Sequence, residues 1–235
     1  DPLIIENGKK LMQGNSNIQL IHENYMNVKK VLVSLHIERV DGILVDCGLN
    51  RSQLMNDTRG FSFSSESRLD MRLDPAQSLD AYEVINTYDQ ESLIKLFEEY
   101  GEEYFAKKIA RKIVEKRSEK PIVTACELAA LISRSKPRSK THAATKVFQA
   151  LRIEVNHELE YLEKSIFDFA DVLEKEGRLC VISFHSCEDR VVKHAFKKLQ
   201  NRMQISKKPI VPSWEEMKQN PSSRSAKLRV GIMNL

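Results

Sequence analysis

A chain of 235 residues is long enough to bury a full core without disulfide or metal staples, and it sits at the upper end for one domain, so one domain carrying an insertion is expected. With 30% charged residues and no apolar run near the roughly 18 needed to cross a bilayer, the composition excludes a helical membrane protein, and the N-terminus lacks the basic-then-apolar pattern of a signal peptide. The expected location is the cytoplasm, and a net charge of +4 is small enough that the placement of the charges matters more than their sum.

In chain order, Ile18 to His22 and Ile43 to Val45 read as short strands, the second bounded by Asp41-Gly42 and Asp46-Cys47-Gly48. Asp46 thus ends a strand, and Gly48 permits a sharp turn behind it. An acid there can accept hydrogen bonds from an amine and balance a nearby cation. The following stretch contains Gln53, Arg59-Gly60-Phe61-Ser62-Phe63 and Leu69-Asp70-Met71-Arg72-Leu73-Asp74. It has little periodicity, and loops rich in aromatic, amide, Arg and Asp groups commonly line sites. Two readings are open for Phe61 and Phe63: stacking on a base, or anchoring the loop in a core.

From Leu79 to about Arg152 apolar residues recur at spacings of three and four, which predicts a helical subdomain with Leu93, Phe97, Phe105, Ile109 and Leu128 sharing a core. Thr124 and Glu127 form a capping box, and Ser135 to Thr141, with Pro137, is a basic loop. Val147 to Leu173 is predicted as one long amphipathic helix. Gly177 then turns the chain into a strand at Leu179 to Phe184, apolar enough to be covered on both faces, and paired in parallel with Ile43 to Val45. His185, Ser186, Glu188 and Asp189 follow where ligands sit in open α/β sheets, with Ser186 as N-cap. The plainer reading is that His185 orders the turn and the two acids complement the helix dipole. Lys227 to Ile232 is a last strand. The fold class is α/β, a sheet from both chain ends interrupted by helices.

The charges are not evenly spread. No acid occurs between Glu127 and Glu154, where Arg134, Lys136, Arg138, Lys140, Lys146 and Arg152 stand; none occurs between Asp189 and Glu215, a tract ending in Lys207 and Lys208; and Arg224, Lys227 and Arg229 repeat the pattern. Such tracts point to a polyanion, most simply RNA phosphates, against the plainer reading of solvated helix faces. The four cysteines lack CxxC spacing, which favours free thiols, with Cys180 as a buried small hydrophobe. A nicotinamide-dependent oxidoreductase is a weak third reading, because no GxGxxG occurs.

Arg59 to Phe63 (RGFSF), Leu69 to Asp74 (LDMRLD), Tyr100 to Ala106 (YGEEYFA), Phe148 to Asn156 (FQALRIEVN), Gly177 to Lys193 (GRLCVISFHSCEDRVVK) and Asn220 to Val230 (NPSSRSAKLRV) together resemble the bacterial 16S ribosomal RNA cytosine-N4 methyltransferases, called RsmH or MraW. The resemblance runs over essentially the whole chain, in order. It implies an S-adenosylmethionine-dependent enzyme acting on the small ribosomal subunit, with a Rossmann-like methyltransferase domain in residues 1–76 and 153–235 and an inserted helical substrate-recognition domain in 77–152. By its motifs Asp46 lies against the methyl donor and is the catalytic candidate. Gln53 is a cofactor-contacting amide, and Tyr25 falls where the family usually has Phe beside the adenine. Arg59, Phe61, Phe63, Arg134, Arg138, Lys140 and His185 are the candidate RNA contacts, and no metal is implied.

The chain departs from the family in three places. The usual DLGVSSPQL is DCGLNRSQL from Asp46, HPAT is HAAT from His142, and the glycine-rich loop with the ribose-holding acid that opens family members has no counterpart. Backbone amides on the donor's methionine and a carboxylate on its ribose are thereby missing. A fragment or a degenerate member is therefore expected, with residues 1 to about 35 loosely anchored and donor binding weak. The alternative function is a non-catalytic RNA-binding remnant.

Overall fold

The computed structural model describes residues 2–12, 14–50, 53, 57–137 and 142–234. The chain divides into two compact units, one formed by Leu49–Glu158 with the first twenty residues, the other by Ile21–Gly48 with Leu159–Leu235.

The second unit is built on a mixed sheet. Its strands are β1 (Val40–Asp46), β2 (Leu173–Ser183), β3 (Met203–Ile205) and β4 (Lys227–Met233), in the order β1-β2-β4-β3. As expected, β1 and β2 run parallel, with Ile43 opposite Leu179 and Val45 opposite Val181. β4 returns antiparallel to β2 and carries β3 on its far side. On β2, Leu179 and Val181 are fully buried, while Cys180 and Ile182 are half-buried, so the strand has one dry face and one partly covered face. Cys180 is accordingly not the buried thiol; Cys187 is, at 2% exposure.

Three other expectations change. β2 begins at Leu173, directly after its preceding helix. The register then jumps from Val40 opposite Leu173 to Gly42 opposite Arg178, which places the bulge residues 174–177, with Glu176 at φ +61°, inside the strand rather than before it. Ile18 to His22 forms no strand: the segment joins no ladder among the described residues, and a strand needs a partner that local propensity cannot supply. Residues from Tyr25 onward are not loose either. The turn Tyr25–Asn27 leads into α2 (Val28–Ser34), where Lys29 reaches Asp168 and Asp171 at 2.7 Å each and Val28 packs on the sheet core.

The first unit is helical: α1 (Pro2–Leu11), α3 (Ala81–Thr87), α4 (Gln90–Glu99), α5 (Ala106–Glu119), α6 (Ala125–Ser135) and α7 (Thr145–Asn156). Leu93, Phe97, Ile109 and Leu128 share one core, with Phe105 packed against it, and the segment 57–74 contributes Phe61, Leu69 and Met71 to the same core. Asp80, Asp89 and Thr124 cap α3, α4 and α6, the last in the expected capping box. The predicted long helix from Val147 is two: His157, in the left-handed region at φ +49°, ends α7, and α8 (Glu158–Val172) starts afresh. An apolar period that continues across one residue does not reveal such a break. The remaining helices, α9 (Ser186–Lys198) and α10 (Trp214–Gln219), belong to the sheet unit. No described helix is long and apolar enough to cross a membrane.

Candidate functional site

Two parallel strands end side by side in the sheet unit. Asp46 is opposite Ile182 in the register, and the ladder continues one residue further, Cys47 N donating to the Ile182 carbonyl at 3.0 Å. The chain then leaves β1 through Gly48 at φ +96°, a left-handed turn that glycine adopts without strain. Asp46 and His185 are thus brought to the same carboxyl end of neighbouring strands. The Asp46 side chain is exposed and, among the described residues, has no cation beside it. An unpaired carboxylate at a strand end is complementary to a positively charged ligand.

The neighbouring turn is built differently from the sequence expectation. The N-cap of α9 is His185, one residue before Ser186. Its Nδ1 accepts from the Glu188 N–H at 3.3 Å and its Nε2 faces Glu188 Oε1 at 3.1 Å, while Glu188 Oε2 accepts from the backbone N–H groups of Phe184 at 2.8 Å and His185 at 3.2 Å. Glu188 is 2% exposed. Both ring nitrogens of His185 therefore meet Glu188, Nδ1 its backbone N–H and Nε2 its buried carboxylate, and the histidine orders the strand-to-helix turn. Asp189 does not serve the helix dipole alone: it takes Arg229 Nε at 2.7 Å and Lys227 Nζ at 3.0 Å. Burial opposes its ionisation, but the hydrogen bonds from Arg229 and Lys227 prevail and hold its carboxyl below the usual range.

Tyr25, also in the sheet unit, keeps 42% of its surface exposed, with its ring 6.3 Å from that of Phe169. Among the described residues, Asp46 thus offers an unpaired carboxylate and Tyr25 an accessible ring. Gln53 lies in the helical unit, 8% exposed, its side-chain oxygen accepting from Asn50 N at 2.9 Å.

The motif segment of the helical unit is clamped from within. Gly60 sits at φ +67°, and a Cβ there would fall 2.7 Å from the Arg68 carbonyl oxygen, so no other residue fits. Met71, buried, is itself left-handed at φ +59°. Asn156 holds that strained turn: its amide donates to the Met71 carbonyl at 2.8 Å and its oxygen accepts from Leu73 N at 2.8 Å. Arg59 adds donation to the carbonyls of Arg72 and Leu73, at 3.3 and 3.4 Å. Phe61 is 6% exposed and anchors the loop in the core. Phe63 is half-buried, stacked on His142 with centroids 4.3 Å apart and planes 8° from parallel, and edge-on to Phe148.

The basic tracts separate into paired and unpaired charges. Lys136 is buried against Glu103 at 2.5 Å and also donates to the Ala143 carbonyl; Arg152 makes two hydrogen bonds to Glu158; Lys198 reaches Glu163 and Arg202 reaches Asp171. Arg134 is exposed at the end of α6, without a carboxylate partner among the described residues. Arg138 and Lys140 lie outside the described residues. Sequence reasoning missed Asn156, Glu103 and the Asp189 clamp, because pairing partners 33 to 85 residues apart leave no local signal.

A mixed sheet packed with helices, its parallel pair ending in an acid unpaired among the described residues, makes this an α/β protein, a class in which ligands commonly sit at strand ends. A family model described as the MraW methylase family matches residues 1–232. The chain is 45% identical over 246 residues to Ribosomal RNA small subunit methyltransferase H of Caldicellulosiruptor bescii, covering 96% of this chain and 80% of that protein. It is 43% identical to the like-named protein of Clostridium botulinum, covering 98% and 81%, and 46% identical to that of a Sulfurihydrogenibium species, covering 95% and 78%. The chain belongs to the MraW methylase family.

Proposed function

We propose that this protein transfers a methyl group from S-adenosylmethionine to the N4 amine of a cytidine in 16S ribosomal RNA, acting on the small ribosomal subunit in the cytoplasm. The observation that supports this best is the exposed Asp46 carboxylate, unpaired among the described residues, at the end of the parallel pair in a chain of a methylase family. When bound, S-adenosylmethionine supplies an electrophilic methyl group on a cationic sulfur. Asp46 would lie against that charge and Tyr25 beside the adenine. An exocyclic amine is a weak nucleophile because its lone pair is delocalised into the ring. Asp46 would answer this by accepting a hydrogen bond from N4, which orients the lone pair, and by taking the N4 proton as the C–N bond forms, the methyl–sulfur bond breaking to leave the donor as a neutral thioether. In this reading the helical unit recognises RNA, with Arg59, Phe63 and Arg134 in reach of it.

The test is methyl transfer from labelled donor to small subunits lacking the modification, with nucleoside analysis of the product. N4-methylcytidine is expected, falling about 10²-fold or more in Asp46→Asn. RNA binding without any donor binding in a calorimetric titration would leave a non-catalytic RNA-binding protein instead.

A further inference from the structure

The segment 207–218 of the sheet unit presents an unusual surface. Ile210, Val211 and Trp214 are 58%, 61% and 66% exposed, three large apolar side chains within five residues. They do not hang on a loose loop. Ile210 and Leu228 exchange backbone hydrogen bonds of 2.8 and 2.9 Å, which fixes the segment along β4, and Pro209 and Pro212 stiffen it on either side. Lys218 Nζ stands 5.2 Å from the Trp214 ring centroid. Lys207 and Lys208 are exposed and, among the described residues, have no carboxylate partner, whereas Lys198 and Arg202 earlier in the same acid-free tract are consumed by internal pairs. The neighbouring acids belong to the helix: Glu215 and Glu216 occupy the first turn of α10, which Ser213 caps by accepting from Glu216 N.

An exposed indole on a backbone-anchored segment that also carries two lysines without a carboxylate partner among the described residues combines a π-face with backbone-tracking charge, the two parts of a single-strand nucleic-acid platform. We infer that Trp214 stacks on an unpaired base of RNA while Lys207 and Lys208 hold the adjoining phosphates. This rests on the reading that the substrate is RNA, and it assigns the contact to a segment of the chain other than Asp46 and its turn. Charge decides against an apolar protein partner, since such a partner gains nothing from the two unpaired lysines.

Trp214 is the only tryptophan of the chain, so its emission reports this contact alone. The whole chain is titrated with an unstructured RNA of about ten nucleotides, end-labelled so that anisotropy reports total binding in parallel. Quenching of Trp214 with the same midpoint as the anisotropy is expected, with affinity lower by at least about five-fold in Trp214→Ala and largely kept in Trp214→Phe. Lys207→Ala with Lys208→Ala should flatten the slope of log affinity against log salt by about 1.4, two contacts at roughly 0.7 each. RNA bound by anisotropy with unmoved emission and unchanged Trp214→Ala affinity overturns the inference and leaves the RNA reading intact. Absence of RNA binding in both channels sinks the RNA reading and this inference with it. Emission that shifts with protein concentration, without RNA, assigns the patch to a second copy and overturns it too.

Discussion

Replacing Asn156 by alanine should be among the most damaging single changes in the helical unit. Asn156 is 6% exposed and makes hydrogen bonds to three backbone groups: the Met71 carbonyl, the Leu73 N–H and the Arg152 carbonyl. The Arg152 carbonyl lies in the ladder of α7, so its loss is mild. The Met71 carbonyl lies beside a buried side chain and would be left without its amide donor, and the Leu73 N–H, part-buried, would lose its acceptor. An orphaned buried polar group costs about 1–3 kcal/mol, so the pair sums to about 3 kcal/mol once the better-hydrated Leu73 is discounted. The left-handed Met71 turn adds to this, since the amide is what over-determines it. For a chain of this size that is a fall of about 6–12 °C in the melting midpoint. Asn156→Asp keeps the shape but turns a second oxygen toward the Met71 carbonyl, and should lose at least as much at pH 7. A shift below about 2 °C for alanine, or an aspartate variant as stable as the parent, would refute the clamp.

Lys136→Met should destabilise by about 3–5 kcal/mol, because it leaves the Glu103 carboxylate, 2% exposed, without its cation, and adding Glu103→Gln should restore much of the loss in a urea titration. The same variant should leave the salt slope of RNA affinity unchanged, since this lysine is committed internally; a flatter slope would return it to the RNA-facing set. Asp189 has a folded-state pKa depressed below its ordinary value, so its contribution to stability is present above about pH 4 and is lost as pH falls through the depressed folded value. Asp189→Asn should therefore be less stable than the parent near neutrality and lose less stability on acidification; parallel curves of midpoint against pH would discard the clamp on Arg229 and Lys227.

Sequence reasoning reached the sheet through β1, β2 and β4 because each announces itself: a short β-branched or apolar run, a glycine or acid at the boundary, and a long separation filled by helices. It reached the helical core through residues three and four apart. It failed at Ile18 to His22, where the composition suits a strand but pairing is a property of the partner, and at His157, where one left-handed residue splits a continuous apolar stripe. The N-cap of α9 moved by one residue because histidine is an uncommon cap, and what makes it one is Glu188 meeting the ring from three residues on. Asp46 was visible as an acid behind a strand. That it stands without a cation was not, since pairing depends on which side chains the fold brings near.

The basic tracts make the same point for function. Counting lysines and arginines between acids marks three stretches as candidate RNA contacts, but the fold spends Lys136, Arg152, Lys198, Arg202, Lys227 and Arg229 on carboxylates of its own. All five of those acids, Glu103, Glu158, Glu163, Asp171 and Asp189, lie outside the tracts they neutralise, so an acid-free window in sequence is not an acid-free surface. A paired guanidinium or ammonium would have to give up its partner to hold a phosphate, which costs most where the pair is buried. Exposed charges without a carboxylate partner among the described residues, such as Arg134 in the last turn of α6, Lys193, Lys197 and Arg224, and Lys207 and Lys208 before Trp214, are the ones with counterions to release, and the salt slope of binding belongs to charges of this kind.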